Sequence, residues 1–537
     1  MPPSLILLNA AFYTQWPNLP WAEAVSIQHG RIQAVGIAEE ILDLAGDHTP
    51  VIDLDGSLVL PGFTDAHIHF HDVAMGRQRI DLSAATSLDD ALTRLAAYAA
   101  ALPPGAWVLG NGWNESRWPI PVFPNRRDLD GATGGRPAML WRSDLHVSWV
   151  NSAALRLAGV GPDTANPASG VIDKDDGSDP TGILRELAGN LVSDHIPAAG
   201  DAGAEAAILA TAADLHRLGI VGVHDQRIKG AADEGAQALC RYTRLSREGR
   251  LPLRITCNVE AGYLPHLIAL GLSSGFGDEW VQIGHVKLFA DGSLGARTAW
   301  MLEPYDGEPG NTGLVLTPPA EVIDVIQAGH RHGCAISIHA IGDRANREVL
   351  EIFAEVLAAG STTLPALPHR IEHVQTIRPD DLPRLAAMDL VASVQPIHCT
   401  DDIASTDRYW GRRGANTYAF RTLLESGVVL AFGSDAPVAS FNPWWGLHAA
   451  VTRQRRDGLP AGGWYPDQRL TVAEAIHAYT LGPAQAVGQA HQQGRIAPGY
   501  LADFVAVDRD LFAGDPAEIA GTKVEMTIVG GEIVYSA

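Results

Sequence analysis

Eight short, strongly apolar runs recur through the middle of the chain: GFTDAHIH (62–69), GIVGVHD (219–225), LRITCNV (253–259), VKLFAD (286–291), AISIHA (335–340), RIEHVQ (370–375), VASVQP (391–396) and VLAFGSD (429–435). Ala- and Leu-rich stretches of helical character fall between them, for example 203–218, 319–332, 344–359 and 380–388. Short apolar runs alternating with helical stretches are the mark of βα units around a parallel sheet. Eight such units predict an α/β chain built on a (β/α)8 TIM barrel, whose active site lies at the carboxyl ends of the strands.

The two ends of the chain follow another pattern. SLILLNAAFYT, AVSIQHGRIQAVG and TPVIDLDGSLVLPG near the start, and GRIAPGYLADFVAVD and VEMTIVGGEIVYSA near the finish, are β-rich runs separated by Gly, Asp-Gly and Gly-Gly turns. Neither end alone carries enough strands for a stable sheet. Together, residues 1–60 and 487–537 are expected to form a β-sandwich that flanks a barrel spanning 61–486. Between about residues 73 and 202 there is far more chain than a βα crossover needs, with strand-like runs of its own (WVLGNGW, PAMLWRSDLH). This reads as a subdomain inserted after the first barrel strand, serving as a lid or a pocket wall.

Composition removes some classes of function. Of 537 residues, 39 are Lys or Arg and 62 are Asp or Glu, a net charge of −23. Such a balance argues against nucleic acid as a partner, since that affinity rests on cations meeting phosphates. The four cysteines, Cys240, Cys257, Cys334 and Cys399, form no CxxC pair, which fits a reducing cytoplasm. The first residues make a poor signal peptide and read better as a strand, and no run of about 20 apolar residues predicts a membrane span. A small molecule is the expected partner; self-association is compatible with a barrel of this kind.

The polar residues at the strand ends carry the chemistry. His67 and His69 lie two apart at the end of the first run, on one face of a strand and roughly 6–7 Å apart. Lys287 lies on the fourth run, His339 ends the fifth, His373 the sixth and Asp435 the eighth. Four histidines and an aspartate at matching ends of one barrel point to metal binding, although single buried histidines are commonly hydrogen-bonded core residues. A protonated lysine cannot ligate a metal, having donors and no lone pair. Buried among cations it loses its proton more readily, and a neutral amine reacts with carbon dioxide to give a carbamate, a carboxylate on a long stem that can bridge two ions. The alternative for Lys287 is an ion pair with Asp291 or Glu372, or a contact with substrate.

PGFTDAHIH, HVKLFADGSLGARTA, SIHAIGDRA, HRIEHVQ, SVQP and GSDAPV, followed by GRIAPGYLADFVAVD, resemble the amidohydrolase superfamily, and within it the amidohydrolase-3 branch. The resemblance covers nearly the whole chain. It implies that His67, His69 and Asp435 hold the more buried metal, that His339 and His373 hold a second, and that carboxylated Lys287 bridges them. The metal it implies is zinc, two ions or, in the alternative, one. His71 is read as a non-ligand, past the strand end. The implied chemistry is cleavage of a C–N bond other than a peptide bond (EC 3.5), by metal-activated hydroxide with Asp435 as general base and then acid. N-substituted formamides are the nearest named substrates.

Trp113, in NGWNESRW, offers a surface on which a substrate could stack, with plain core packing as the alternative. His224 and Asp225 at the end of the second run, and Gln395 and His398 after the seventh, are candidates to hydrogen-bond substrate. WRSDLHVSWVNSAAL and GILRELA match the branch without an assignable chemistry. GDRAN, after His339, reads as a helix start with an Asp cap. No GxSxG elbow, catalytic-cysteine context or phosphate loop competes. Two other readings stay open: a mononuclear deaminase of the same superfamily, against which Lys287 argues, and a non-catalytic binding protein on this scaffold, against which the complete ligand set argues.

Overall fold

The computed structural model describes residues 2–167, 169–197, 200–226, 234–360 and 365–537. Its centre is an eight-stranded parallel sheet in sequence order: Phe63–Ile68, Ile220–Asp225, Arg254–Glu260, Val281–Phe289, Ile336–Ala340, Arg370–His373, Val391–Val394 and Leu430–Phe432. These are barrel strands one to eight. Each pairs with its neighbours in the sequence, so every run identified above becomes a strand. Almost every residue in them is buried, as expected where helices cover the outer face and side chains fill the inner one.

Strands one and eight meet through the loop that follows strand eight. Asp435 N donates to His67 O at 2.6 Å and His69 N donates to Ala436 O at 2.8 Å. This approach needs Gly433, because a Cβ there would lie 2.3 Å from His67 N and 2.8 Å from Asp65 Oδ1.

Strand four begins at Val281, five residues before the apolar run suggested. Gln282, Gly284 and His285 look like a break, yet all three are buried in the strand, and His285 Nε2 donates to Pro368 O at 3.0 Å. Gln282 Nε2 donates to Thr256 Oγ1 at 2.9 Å, and Asn258 Oδ1, which accepts from His285 N, occupies the place a Cβ on residue 284 would take. A second correction concerns GDRAN. The helix Asp343–Ala358 does start there, but its N-cap is Gly342, and the Asp343 carboxylate instead accepts from Leu302 N at 2.8 Å.

The chain ends form two sheets. The four-stranded one is N-terminal; the six-stranded one contains Ala11–Tyr13 and Leu58–Pro61 beside Phe504–Val507, Val524–Val529 and Glu532–Ser536. Leu58–Pro61 pairs with both ends of the chain, parallel to Ala11–Tyr13 and antiparallel to Phe504–Val507. One buried cluster, including Leu7, Phe12, Val25, Ile27, Phe504 and Ile528, draws on both sheets. Between barrel strands one and two lies a further six-stranded sheet, from Ile80–Asp81 to Pro180–Glu186, with its own apolar clusters. No helix among the described residues is long and apolar enough to cross a membrane, and all four cysteines are free.

Gly433→Ala is expected to lower stability by about 2–3 kcal/mol through overpacking against the strand-one backbone. A lowered urea midpoint with unchanged slope would read this effect; an unchanged midpoint would show that the junction accommodates a methyl group.

Candidate metal centre and active-site cavity

A cavity of about 1520 Å³ opens at the carboxyl ends of the barrel strands. His67, His69, Lys287, His339, His373 and Asp435 all line it from below. Arg79, Trp141, His146 and Glu186 of the inserted segment line its wall.

His67, His373 and Asp435 converge most tightly, with one ligand atom of each within 4.8 Å of the others. Asp435 Oδ1 lies 3.3 Å from His67 Nε2 and 3.1 Å from His69 Nε2. The His339 ring is beside that of His373, centroids 4.6 Å apart. The tight group therefore mixes the two ligand sets that the resemblance implies, taking His373 together with His67 and Asp435.

Each imidazole is oriented by a partner. His67 Nδ1 donates to Glu372 Oε2 at 2.6 Å. His373 Nδ1 donates to Gln395 Oε1 at 2.7 Å, and His339 Nε2 to Gly292 O at 2.9 Å. These acceptors fix which ring nitrogen keeps a lone pair: Nε2 of His67 and His373, Nδ1 of His339. Burial, then Lys287 and His146 for His339 and the neighbouring histidines for His373, hold both well below the usual imidazole range, so both stay neutral. Burial also opposes charge on His67, but Glu372 and Asp435 outweigh it and raise its pKa. Burial disfavours the Asp435 carboxylate; His67 and His69 outweigh burial and keep it well below its usual range.

This donor set fits a divalent metal. His67 Nε2 faces a carboxylate oxygen in a buried site, where a lone pair against an anion is stable only with a proton or a cation between them. Converging imidazole nitrogens and a carboxylate oxygen are the donors that zinc and similar ions take. His69 Nδ1 and His398 Nε2 are buried at the site without a hydrogen-bond partner among the described residues.

Two of these residues have left-handed backbones, His373 (φ +73°) and Asp435 (φ +60°). Non-glycine residues there are strained, and such strain clusters at functional sites. Arg370 and Glu372 point into the barrel at i and i+2, so His373 would face away by alternation; its φ accompanies the turn that brings it into the site.

Lys287 is buried on the inner face of strand four, its Nζ 5.1 Å from the centre of the Phe289 ring. Among the described residues it forms no ion pair. Asp291, the partner considered from the sequence, instead accepts from the backbone N–H groups of Trp300, Ile341 and Gly342. Burial first, then Arg370, lower the Lys287 pKa to about 8 against the pull of Glu372 and Asp435.

The substrate-contact expectations need correction. Trp113 is fully buried in the core of the insert, donating Nε1 to Leu140 O at 2.9 Å and packing on Trp118, Phe123 and Trp149. It is a core residue and cannot stack on substrate. Asp225 accepts from Tyr242 OH at 2.9 Å on the helix outside the barrel. His224 accepts from Arg370 Nη1 at 3.1 Å inside it. Gln395 is committed to His373. Of the five, only His398 lines the cavity, its Nε2 3.8 Å from Asp435 Oδ2 and its ring stacked on His373. His71 meets Arg241 Nη1 at 3.2 Å, away from the centre.

The sequence offered Glu372 only as an ion-pair partner for Lys287; its place behind His67 was missed, where it also meets Arg370 Nε at 2.6 Å and accepts from Ser337 Oγ. Its i+2 spacing from Arg370 on one strand face was the available signal. Sequence reasoning missed His146 and Glu186 as well, although both lie in stretches already noted as unassigned.

Comparison with known proteins agrees with this geometry. The model of the Amidohydrolase family matches residues 50–535. The chain belongs to that family. It is 31% identical to YtcJ of Bacillus subtilis (strain 168), which is named as an amidohydrolase, over 97% of this chain and 98% of YtcJ. It is 27% identical to the N-substituted formamide deformylase of Arthrobacter pascens, over 99% of this chain and 98% of that protein. A crystal structure of a metal-dependent hydrolase from Pyrococcus horikoshii OT3 superposes with a TM-score of 0.76 at 28% identity, covering 95% of this chain and 99% of the other. The chain is thus a metal-dependent hydrolase of the amidohydrolase superfamily.

Glu372→Gln keeps an acceptor for His67 but removes the negative charge behind it. Metal affinity is expected to fall about 10-fold, the lower end of what losing such a partner does. Competition with a chromogenic chelator measures this, and an affinity equal to wild type would remove Glu372 from that role.

Proposed function

We propose that this protein hydrolyses a C–N bond of a small amide-type substrate, with N-substituted formamides as the first class to try. The observation that carries the reading is the convergence of His67, His69, His373 and Asp435, with His339 and Lys287 beside them, at the floor of one cavity. The likeness to a formamide deformylase along nearly the whole chain supports the substrate class.

His67, His69, His339, His373 and Asp435 would hold divalent metal, zinc by their donor types, with Lys287 as a carboxylated bridge if two ions bind. The low pKa of Lys287, about 8, supports that role, because the neutral amine needed to take up carbon dioxide is then accessible near neutral pH. A bound divalent ion supplies Lewis acidity, polarising a carbonyl and lowering the pKa of water. Asp435 stays ionised in the folded protein and so can take a proton at its carboxylate, then return it to the departing nitrogen. His398, its Nε2 3.8 Å from Asp435 Oδ2, lines the same cavity and would be within reach of a substrate held there. The cavity exceeds the roughly 300–1,000 Å³ common for small-ligand sites, which suits a substrate with a sizeable group on nitrogen.

A second reading is a single-ion deaminase. It is favoured by the tightest group having only three members, His67, His373 and Asp435.

Metal content per chain, measured by elemental analysis on protein purified with bicarbonate and without chelator, separates the two. About two ions is the expected result, falling to about one in Lys287→Ala. About one in the wild type would demote Lys287 and move deaminase substrates forward. Asp435→Asn is expected to keep metal while turnover of an N-substituted formamide falls about 10³-fold, within the range for losing a general base. A fully active variant would sink the assignment of Asp435.

A further inference from the structure

The inserted segment brings a second polar constellation to the cavity wall. His146 immediately precedes the strand Val147–Val150 of the insert and Glu186 ends its antiparallel neighbour Pro180–Glu186, where Val147 pairs with Arg185 and Glu186 N donates to His146 O at 2.8 Å. Their side chains also meet: His146 Nδ1 donates to Glu186 Oε2 at 2.7 Å. The other oxygen, Oε1, accepts from Thr298 Oγ1 at 2.6 Å. Both carboxylate oxygens are therefore engaged, and the imidazole is held in one orientation. Its Nε2 has no hydrogen-bond partner among the described residues, and the ring lines the cavity with its centroid 5.9 Å from that of His339.

The arrangement is built. Glu186 has a left-handed backbone, φ +52° with ψ −135°, a region non-glycine residues seldom occupy. Gly292 and Thr298 both lie on the loop that follows barrel strand four, where Gly292 N donates to Thr298 O at 3.3 Å. A Cβ at residue 292 would lie 2.1 Å from Thr298 Oγ1 and 2.7 Å from Glu186 Oε1. The carbonyl of the same Gly292 accepts from His339 Nε2. One short loop thus ties the Glu186 carboxylate to a histidine of the candidate metal centre and sets His146 over it.

We propose that His146 is the group the insert contributes to the reaction: with Nδ1 committed to Glu186, its Nε2 hydrogen-bonds the scissile group of the substrate. Glu186 is the positioning residue behind it. The arrangement is that of a carboxylate–imidazole pair, in which the carboxylate sets the ring and the far nitrogen meets the reacting molecule. The assignment rests on the hydrolytic reading above and gives the insert a place in it.

The test compares wild type, His146→Ala, Glu186→Ala and the double variant for metal content, kcat and KM on an N-substituted formamide, and for affinity toward acetohydroxamic acid by calorimetry. His146→Ala is expected to keep its metal, to lose about 10²–10³-fold in kcat/KM, mostly in kcat, and to bind the hydroxamate about 10-fold more weakly. Glu186→Ala should lose less, and the double variant should be no worse than His146→Ala, because a positioning residue has no effect once its ring is gone. Additive losses would make Glu186 an independent structural residue and overturn the pair. Loss of metal in His146→Ala would make it a ligand, and wild-type kinetics and hydroxamate affinity would remove it from the site; either result overturns the proposal. If the wild type turns over no amide but hydroxamate binding still depends on His146, the C–N reading fails while His146 keeps its place.

Discussion

The candidate centre depends on how barrel strand eight docks against strand one. The two backbone hydrogen bonds between His67, His69 and the Asp435–Ala436 segment bring Asp435 opposite both histidines. They form only because Gly433 has no side chain to strike the strand-one backbone. Buried Asp65 reinforces the junction by accepting from Ser434 N and His67 N, one from each side. Asp435 is held in a left-handed conformation by that docking rather than by any preference of its own. The contact that closes the sheet and the contact that assembles the ligand donors are the same.

Beneath the donors, the barrel interior is charged rather than apolar. Arg370 and Glu372 form a fully buried ion pair, with Ser337 on one Glu372 oxygen and His67 on the other. A buried ion pair is weak evidence for stability, because desolvating both charges offsets most of their attraction. Its placement makes more sense as electrostatic support for the site. Glu372 is held well below the usual carboxylate range, against burial, by Arg370, His67 and Lys287. Its charge is therefore kept directly behind His67, where it sets the ring and strengthens the nitrogen that faces the cavity.

The barrel and its strand-end histidines were legible because they follow simple rules: apolar runs of strand length, helical spacers, and histidines at the ends of the runs. The substrate contacts were not. Trp113, Asp225 and Gln395 are polar or aromatic residues near strand ends, as ligand contacts are, yet each is turned into a core or toward another side chain. Sequence position gives a strand end but not which way a side chain leaves it, and His373 shows how one left-handed residue reverses the expected face. Glu372 was legible only as a partner for Lys287, because the residues it does meet, His67, Ser337 and Arg370, come from three different strands. The His146–Glu186 pair depends on a fold-back within the insert that no local pattern encodes.

The terminal sheets bear on the site through the chain itself. Leu58–Pro61, paired with Phe504–Val507, runs directly into barrel strand one, and Gly62 N donates to Asp503 O at 2.9 Å. Gly62 must lack a side chain, since a Cβ would lie 2.5 Å from a methyl of Val221 on strand two. Strand one is thereby fixed at its start by the last part of the sequence and at its end by the loop after strand eight. His67 and His69 lie on the short span between these two anchors. The insert leaves from the same strand, and it returns to the site through Thr298 and Gly292 on the loop after strand four. Donors from the barrel and a polar wall from the insert are thus referred to one rigid segment, which is how residues more than a hundred positions apart can hold angstrom-scale geometry around one reacting group.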